Sequence, residues 1–352
     1  MKILLFKLSS LGDLIHTFPA LTDALAHDPS LEITWVVENA FADVPLWHPA
    51  VKKVIVAPLR QIKKNGWNFA SLKAMKDFIR QLRAEHYDVA IDAQGLYKSA
   101  LLMRCVKGKK MGYAKGCARE SVWWLYQKRI AVDRHQHAIF RIKALLAGAL
   151  NYQASTGVDY GLHLDPEVSL RKSQDDRKAI LFAHGTTWPS KHYPDSSWKE
   201  LVRLATEAGY EVWLPQVTDA ELKRAQFLKI NDQVKILPKM SLSEIKSTLQ
   251  KARGVIAVDT GLAHIAAALS IPCVTIYGPT DSNKIGTLGQ NQVHLSAHFI
   301  CAPCNARLCT HPDRNKEPSP PCFGALPPDK IWNALVLACD DPLHTMYNPQ
   351  HF

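Results

Sequence analysis

Short apolar runs alternate with stretches of helical period along most of the chain. Residues 2 to 7, then "LEITWVVE" (31–38), "VKKVIVAP" (51–58) and "YDVAIDAQG" (87–95), predict buried strands. Between them, "LTDALAHD" and "SLKAMKDFIRQLRAEH" predict helices; in the latter Leu72, Met75, Ile79 and Leu82 recur at helical spacing. Strand and helix in turn imply a parallel sheet covered on both faces. Residues 151–176 lose this rhythm, turn polar, and read as a connection between domains.

The alternation then restarts. "KAILFAHG", "YEVWLP", "GVIAVD" and "PCVTIYG" predict strands, and "SSWKELVRLATEAG", "SLSEIKSTLQKA" and "GLAHIAAAL" predict helices. The tail beyond 290 is rich in Pro and Cys and closes on a helical stretch, "PDKIWNALVLAC". The expected fold class is α/β, with two doubly wound domains facing each other across a cleft. A length of 352 residues suits two such domains better than one core.

Composition narrows the partners. Hydrophobic residues make up 47% and charged ones 21%, as in a soluble globular protein. Lys and Arg number 43 against 32 Asp and Glu, formally +11, which favours an anionic partner. No apolar run approaches the ~20 residues of a membrane span, and Lys7 breaks the N-terminal run before it resembles a signal peptide. The expected location is the cytoplasm, with access to the membrane surface. Eight cysteines would suit an oxidising compartment, but nothing else in the chain points to export. The "KGKK" run (107–110) reads as solvated surface.

Three loops carry candidate chemistry. "FAHGTTWPSKHYP" (182–194) offers His184, Gly185, Thr186, Thr187 and Lys191 after a strand. Amides near a glycine, two hydroxyls and a lysine suit a diphosphate. The same composition also fits an ordinary polar loop, and neither GxxxxGK[ST] nor GxGxxG occurs. In "VIAVDTGLAHIAAAL" a strand ends at Asp259, and Thr260 and Gly261 open a helix whose free amides attract an anion. Asp259 reads as a cap or a ligand contact, and His264 as a ligand contact or a core histidine. In "SSLGD" (9–13), Asp13 is either a helix cap or a reactive carboxylate. Pro19 suits the first turn of a helix beginning near Thr17 or Phe18, which would leave Asp13 on the loop itself. Cys301, Cys304, Cys309 and Cys322 form C-x2-C-x4-C-x12-C, a spacing open to a structural zinc site, free thiols or a disulfide.

"LSSLGDLIHTFPAL", "IDAQGLYKSALL", "TTWPSKHYP", "LPKMSL" and "VDTGLAHIAAAL…VTIYGPTD", in this order from residue 1 to about 290, resemble the motifs of the lipopolysaccharide heptosyltransferases of glycosyltransferase family 9. The resemblance implies a GT-B fold of two Rossmann-like domains: 1–160 for the acceptor, 161–330 for the donor, and a helix and tail (331–352) packing back on the first. It implies an inverting transfer of heptose from ADP-L-glycero-D-manno-heptose to the Kdo of Kdo-lipid A, with no metal or other cofactor required. Asp13 becomes the general base. Lys191 and the Thr260–Gly261 helix start neutralise the departing ADP. Thr186 and Thr187 add donors, Asp259 orients the heptose or the loop, Glu221 holds the ribose, Met240 lines the adenine or is simply core, and His264 completes the donor set. Gln216 and Val217 depart from the family, which commonly has a glycine near this strand end.

For the acceptor, the candidates are Arg60, Lys63, Lys64, Lys98, Arg119, His137 and Arg141, basic groups suited to a carboxylate and to lipid phosphates, with the neutral Ser10 and Gln94 beside them. Trp67 and Phe69, beside Lys63 and Lys64, are placed to dip into lipid headgroups. The expected site of action is the inner face of the cytoplasmic membrane. The "TFPALTDALA" and "IDAQGLYKSA" wording favours addition of the first heptose over a rival family 9 activity on an already heptosylated core. A nucleic-acid-binding protein would explain +11, but its fold motifs are missing and the basic residues lie in separate segments. A small Cys-dependent regulatory or scaffold protein would explain the tail but not the two sheet-forming halves.

Overall fold

In the computed structural model, which describes residues 1–66, 68–162, 178–316 and 319–340, the apolar runs become parallel strands. A first unit, Met1–Leu162, holds β1 (Lys2–Phe6), β2 (Glu32–Glu38), β3 (Val51–Ala57), β4 (Val89–Asp92), β5 (Lys109–Tyr113) and β6 (Lys128–Ile130). A second unit holds β7 (Ala179–Ala183), β8 (Glu211–Leu214), β9 (Val234–Ile236), β10 (Gly254–Val258), β11 (Cys273–Tyr277) and β12 (Gln292–Ser296). The sheet orders are β3-β2-β1-β4-β5-β6 and β12-β11-β10-β7-β8-β9. Each unit therefore winds outward in both directions from a central pair, β1 beside β4 and β7 beside β10. In such a sheet the crevice for ligands opens at the carboxyl ends of that pair, where the winding reverses.

The central strands were legible because they are buried on both faces. β7, β10 and β11 are buried at every position, and β1 at all but its first. β6, β9 and β12 leave no apolar run in the sequence because they are short or largely part-exposed, with at most one buried position each. In the "KGKK" run, Lys107 and Lys109 are exposed, as expected of solvated surface, while Lys109 and Lys110 open β5.

α1 (Leu11–Ile15) and α2 (Phe18–His27) follow β1, with Pro19 in the first turn of α2 as expected. α3 (Leu59–Asn65) and α4 (Phe69–Arg83) follow β3. The apolar spacing in α4 misplaced one residue: Ser71, Phe78 and Leu82 are buried, whereas Leu72 is 56% exposed. Leu72 sits one position, ~100° of helix rotation, off the track that packs inward. α5 (Tyr97–Met103) and α6 (Ala138–Leu150) complete the first unit.

The terminal helix, Pro328–Asp340, sets Ile331, Trp332 and Leu335 into the hydrophobic core of the second unit. Residues 341–352 and Trp67 lie outside the described residues, as does most of the connection expected at 151–176. Among the described residues no helix is long and apolar enough to cross a membrane.

Candidate active site

In the first unit the loop after β1 is fixed by the loop after β4. The Leu8 and Ser9 amides donate to Gln94 Oε1 at 2.9 and 3.3 Å. Gln94, nominated for the acceptor, thus spends its carbonyl oxygen on holding the chain that leads to Asp13. The Ser10 amide and hydroxyl both donate to Asp13 Oδ2, at 3.0 and 2.9 Å. Asp13 therefore lies in the first turn of α1 and not on an open loop, because Ser10 starts a helical turn ahead of α2. Its other oxygen faces Lys7 Nζ at 3.7 Å; the lysine side chain is 7% exposed, the aspartate 44%. Asp13 is at once a helix-start acceptor and a solvent-facing carboxylate beside a buried ammonium.

Two acidic residues missed in the sequence organise this edge. Asp92, the last residue of β4, is fully buried and accepts from the Gln94 and Gly95 amides, the Ser99 hydroxyl and the Tyr126 hydroxyl at 2.7–3.0 Å. Burial pushes its carboxyl above the usual range, against the pull of those donors. Glu38, the last residue of β2, is buried and pairs with both Arg60 and Lys98 at 3.0 Å. The two acceptor candidates are thus brought together by a carboxylate between them. An acid as the last residue of a strand was the available signal for both.

The remaining acceptor candidates divide. His137 caps α6, its Nδ1 accepting from the Ile139 amide at 3.2 Å, and its ring lies edge-on to His16. Arg141 donates to the Cys117 carbonyl at 2.9 Å and lies over the Tyr113 ring. Burial raises the Tyr113 hydroxyl, Arg141 opposes the shift, and Asp92 and Asp13 add to it, which gathers these groups into one neighbourhood. Lys63, Lys64 and Arg119 are exposed and are not drawn into these networks.

In the second unit the equivalent crevice lies between the loops after β7 and β10. A 3-10 turn, Pro189–Lys191, presents Lys191 Nζ to Asp259 Oδ2 at 2.7 Å. The Thr280 hydroxyl donates to the same oxygen at 2.7 Å, and the Thr186 hydroxyl to the Asp259 carbonyl at 3.2 Å. Lys191 also lies 4.5 Å from the centre of the Trp188 ring. Ser190 pins the turn from behind, its hydroxyl donating to the Ala306 carbonyl at 2.6 Å and its amide to that of Arg307 at 3.3 Å. Thr260 begins the helix Gly261–Ala268 and makes no side-chain cap. His264 is buried in that helix's first turns, and Thr187 is exposed.

Glu221 serves its own helix, Asp219–Leu228: Oε2 accepts from the Val217 and Thr218 amides at 2.7 and 3.1 Å. A side chain on Gly185 would collide with that carboxylate, so the loop after β7 passes directly over it. Gln216 donates to the Leu237 carbonyl at 3.4 Å, and Met240 accepts at sulfur from the Thr248 hydroxyl at 3.5 Å. His184 is wholly buried and its titration is pushed down to about 4 by burial, then by Arg224. It shapes the loop as a neutral ring.

Of the readings open to the cysteine cluster, free thiols describe the structure. Cys301, Cys304, Cys309 and Cys322 line one cavity of about 90 Å³ as free thiols. Burial foremost, then its three neighbours, raises the Cys322 thiol to about 12. Among the described residues no three donor side chains are placed to hold a metal ion. The spacing gathers the four around a cavity without converging them on a common point.

Comparison with known proteins agrees with this layout. A sequence model described as glycosyltransferase family 9 (heptosyltransferase) matches residues 75–314. Lipopolysaccharide heptosyltransferase 1 of Pseudomonas aeruginosa is 41% identical over 347 residues, covering 95% of this chain and 97% of the relative. The structure of E. coli heptosyltransferase WaaC with ADP superposes with a TM-score of 0.78 at 38% identity, over 84% of this chain and 93% of that one. WaaC with ADP-2-deoxy-2-fluoro heptose gives 0.76 at the same identity and coverage. The two six-stranded parallel sheets are those of the GT-B heptosyltransferases. The chain belongs to glycosyltransferase family 9, the heptosyltransferases.

Proposed function

We propose that this chain transfers L-glycero-D-manno-heptose from ADP-heptose to the Kdo of Kdo-lipid A, with inversion at the anomeric carbon. The observation that carries the reading is the pair of carboxyl-edge clusters, one centred on Asp13 and one on Lys191 and Asp259, in a chain 41% identical to a heptosyltransferase 1 along nearly its whole length. Asp13 accepts the proton of the acceptor hydroxyl as its oxygen attacks. The new carbon–oxygen bond forms opposite the breaking bond to the diphosphate, whose electron pair leaves with ADP. Lys191 and the amides at Thr260 and Gly261 take up the charge of that leaving group, which removes the need for an acid to protonate it or a cation to bind it. Asp259 and Thr280 hold the lysine in place. Glu221 and Met240 flank the nucleoside.

On the acceptor side, Arg60 and Lys98, set by Glu38, meet the Kdo carboxylate, and Lys63, Lys64, Arg119 and Arg141 meet phosphate. Ser10, Gln94 and His137 shape the loop and the helix start around them. Because the acceptor is a lipid, the reaction takes place at the inner face of the cytoplasmic membrane. Mass spectrometry of products on Kdo-lipid A and on an already heptosylated acceptor tests the reading. One added heptose on the first acceptor alone supports it; addition only to the second overturns it in favour of a later family 9 step.

A further inference from the structure

The end of α3 and the start of α4 present an exposed tip with an unusual surface. The Ser71 hydroxyl donates to the Gly66 carbonyl at 2.7 Å, and Asn68 accepts from the Ser71 amide at 2.8 Å, so Gly66 and Asn68 are both tied to the start of α4. With Ser71, Phe78 and Leu82 packed inward, the outward stripe of α4 reads Phe69, Leu72, Lys73, Lys76, Arg80 and Arg83. Phe69 is 84% exposed and Leu72 56%, far beyond what packing against the unit requires. Lys63 and Lys64 lie in the last turn of α3. From Leu59 to Lys76 there are five cations and no acidic residue.

Two apolar side chains at the point of a collar of lysines suit one kind of partner. A protein surface complementary to Phe69 and Leu72 would need acids placed around it. An anionic bilayer offers acyl boundary and phosphates together, and lysine stems reach along it while their ammonium groups stay wet. We propose that this tip docks the protein on an anionic phospholipid surface, Phe69 and Leu72 entering the headgroup region and Lys63, Lys64, Lys73 and Lys76 contacting phosphates. The inference deepens the reading of a lipid-borne acceptor by naming the surface that meets its membrane.

Flotation of the full chain with vesicles that contain no Kdo-lipid A tests the docking separately from the acceptor. Wild type is expected to float with phosphatidylglycerol–phosphatidylethanolamine vesicles, less at high salt, and not with phosphatidylcholine alone. Phe69→Ser with Leu72→Ser is expected to lower the partition roughly tenfold. Lys73→Glu with Lys76→Glu should do the same and weaken the salt dependence, Lys63 and Lys64 remaining. Both variants should keep wild-type turnover on a soluble, deacylated acceptor, which also shows that they fold. No flotation of wild type on anionic vesicles, unchanged flotation of either variant, or loss in the apolar variant of a dimer seen by sedimentation overturns the proposal. Vesicle binding that persists when Kdo-lipid A proves not to be a substrate supports the docking surface and overturns only the acceptor.

Discussion

Lys191 Nζ stands 2.7 Å from Asp259 Oδ2, each on a different loop of the second unit's central crevice, and both side chains are largely buried. With Thr280 on the same carboxylate oxygen, the lysine is held before any diphosphate arrives. Preorganised charge is worth most where little solvent competes with it. Lys191→Ala is predicted to lower kcat by about a hundredfold, and to weaken ADP binding by calorimetry. A variant with wild-type kcat would remove Lys191 from the transfer step.

Glu38 supports a separable prediction. Glu38→Gln keeps the shape but leaves Arg60 and Lys98 without their common anion. Steady-state kinetics are predicted to show a several-fold rise in KM for the acceptor, with KM for ADP-heptose unchanged. Equal rises in both would point to a general loss of structure instead.

Asp92 is predicted to matter for stability. Removing its carboxylate takes the acceptor from the Gln94 and Gly95 amides and the Tyr126 hydroxyl, while Ser99 keeps the Leu96 carbonyl. Asp92→Ala should cost about 2–4 kcal/mol in urea unfolding, with the midpoint shifted and the slope retained. A loss below about 1 kcal/mol would show that solvent reaches those donors readily.

Acid should destabilise the fold through its buried histidines. His48 and His184 are wholly buried and each is pushed down to about 4, burial being the first cause, from an unfolded value of 6.5. Between those values the unfolded chain binds more protons, so the stabilisation is complete above pH 6.5 and is lost as pH falls toward 4. Each contributes up to about 1.4 kcal/mol per pH unit within that window. Urea midpoints measured across it should fall steeply with acid, and less so in His184→Gln. A flat profile would contradict neutral, buried rings.

Much of this was legible in the chain, for physical reasons. Strands buried on both faces show as continuous apolar runs, so "KILLF" and "GVIAV" declared themselves, whereas Lys128–Ile130, three residues with one buried, could not. Lys191 and Asp259 stood out because each follows a strand end, yet their contact spans 68 positions of sequence, which no local pattern encodes. Arg60 and Lys98 were visible as cations, but the carboxylate that unites them lies on a third element. For Asp13 the capping alternative had a local signal, since Ser10 with an acid three residues later is the spacing of a capping pair. The capping role of His137 has no comparable signature in sequence.

That capping role makes Asp13 the decisive residue, since a helix start and a general base need the same carboxylate. Heptose transfer from ADP-heptose to Kdo-lipid A, compared between wild type and Asp13→Asn, separates the two. The amide keeps an acceptor oxygen for Ser10 but cannot take a proton. A fall in kcat on the order of a hundredfold or more, with ADP-heptose binding unchanged, is the predicted result. Near-wild-type turnover by Asp13→Asn would contradict it and leave Asp13 as a helix cap alone.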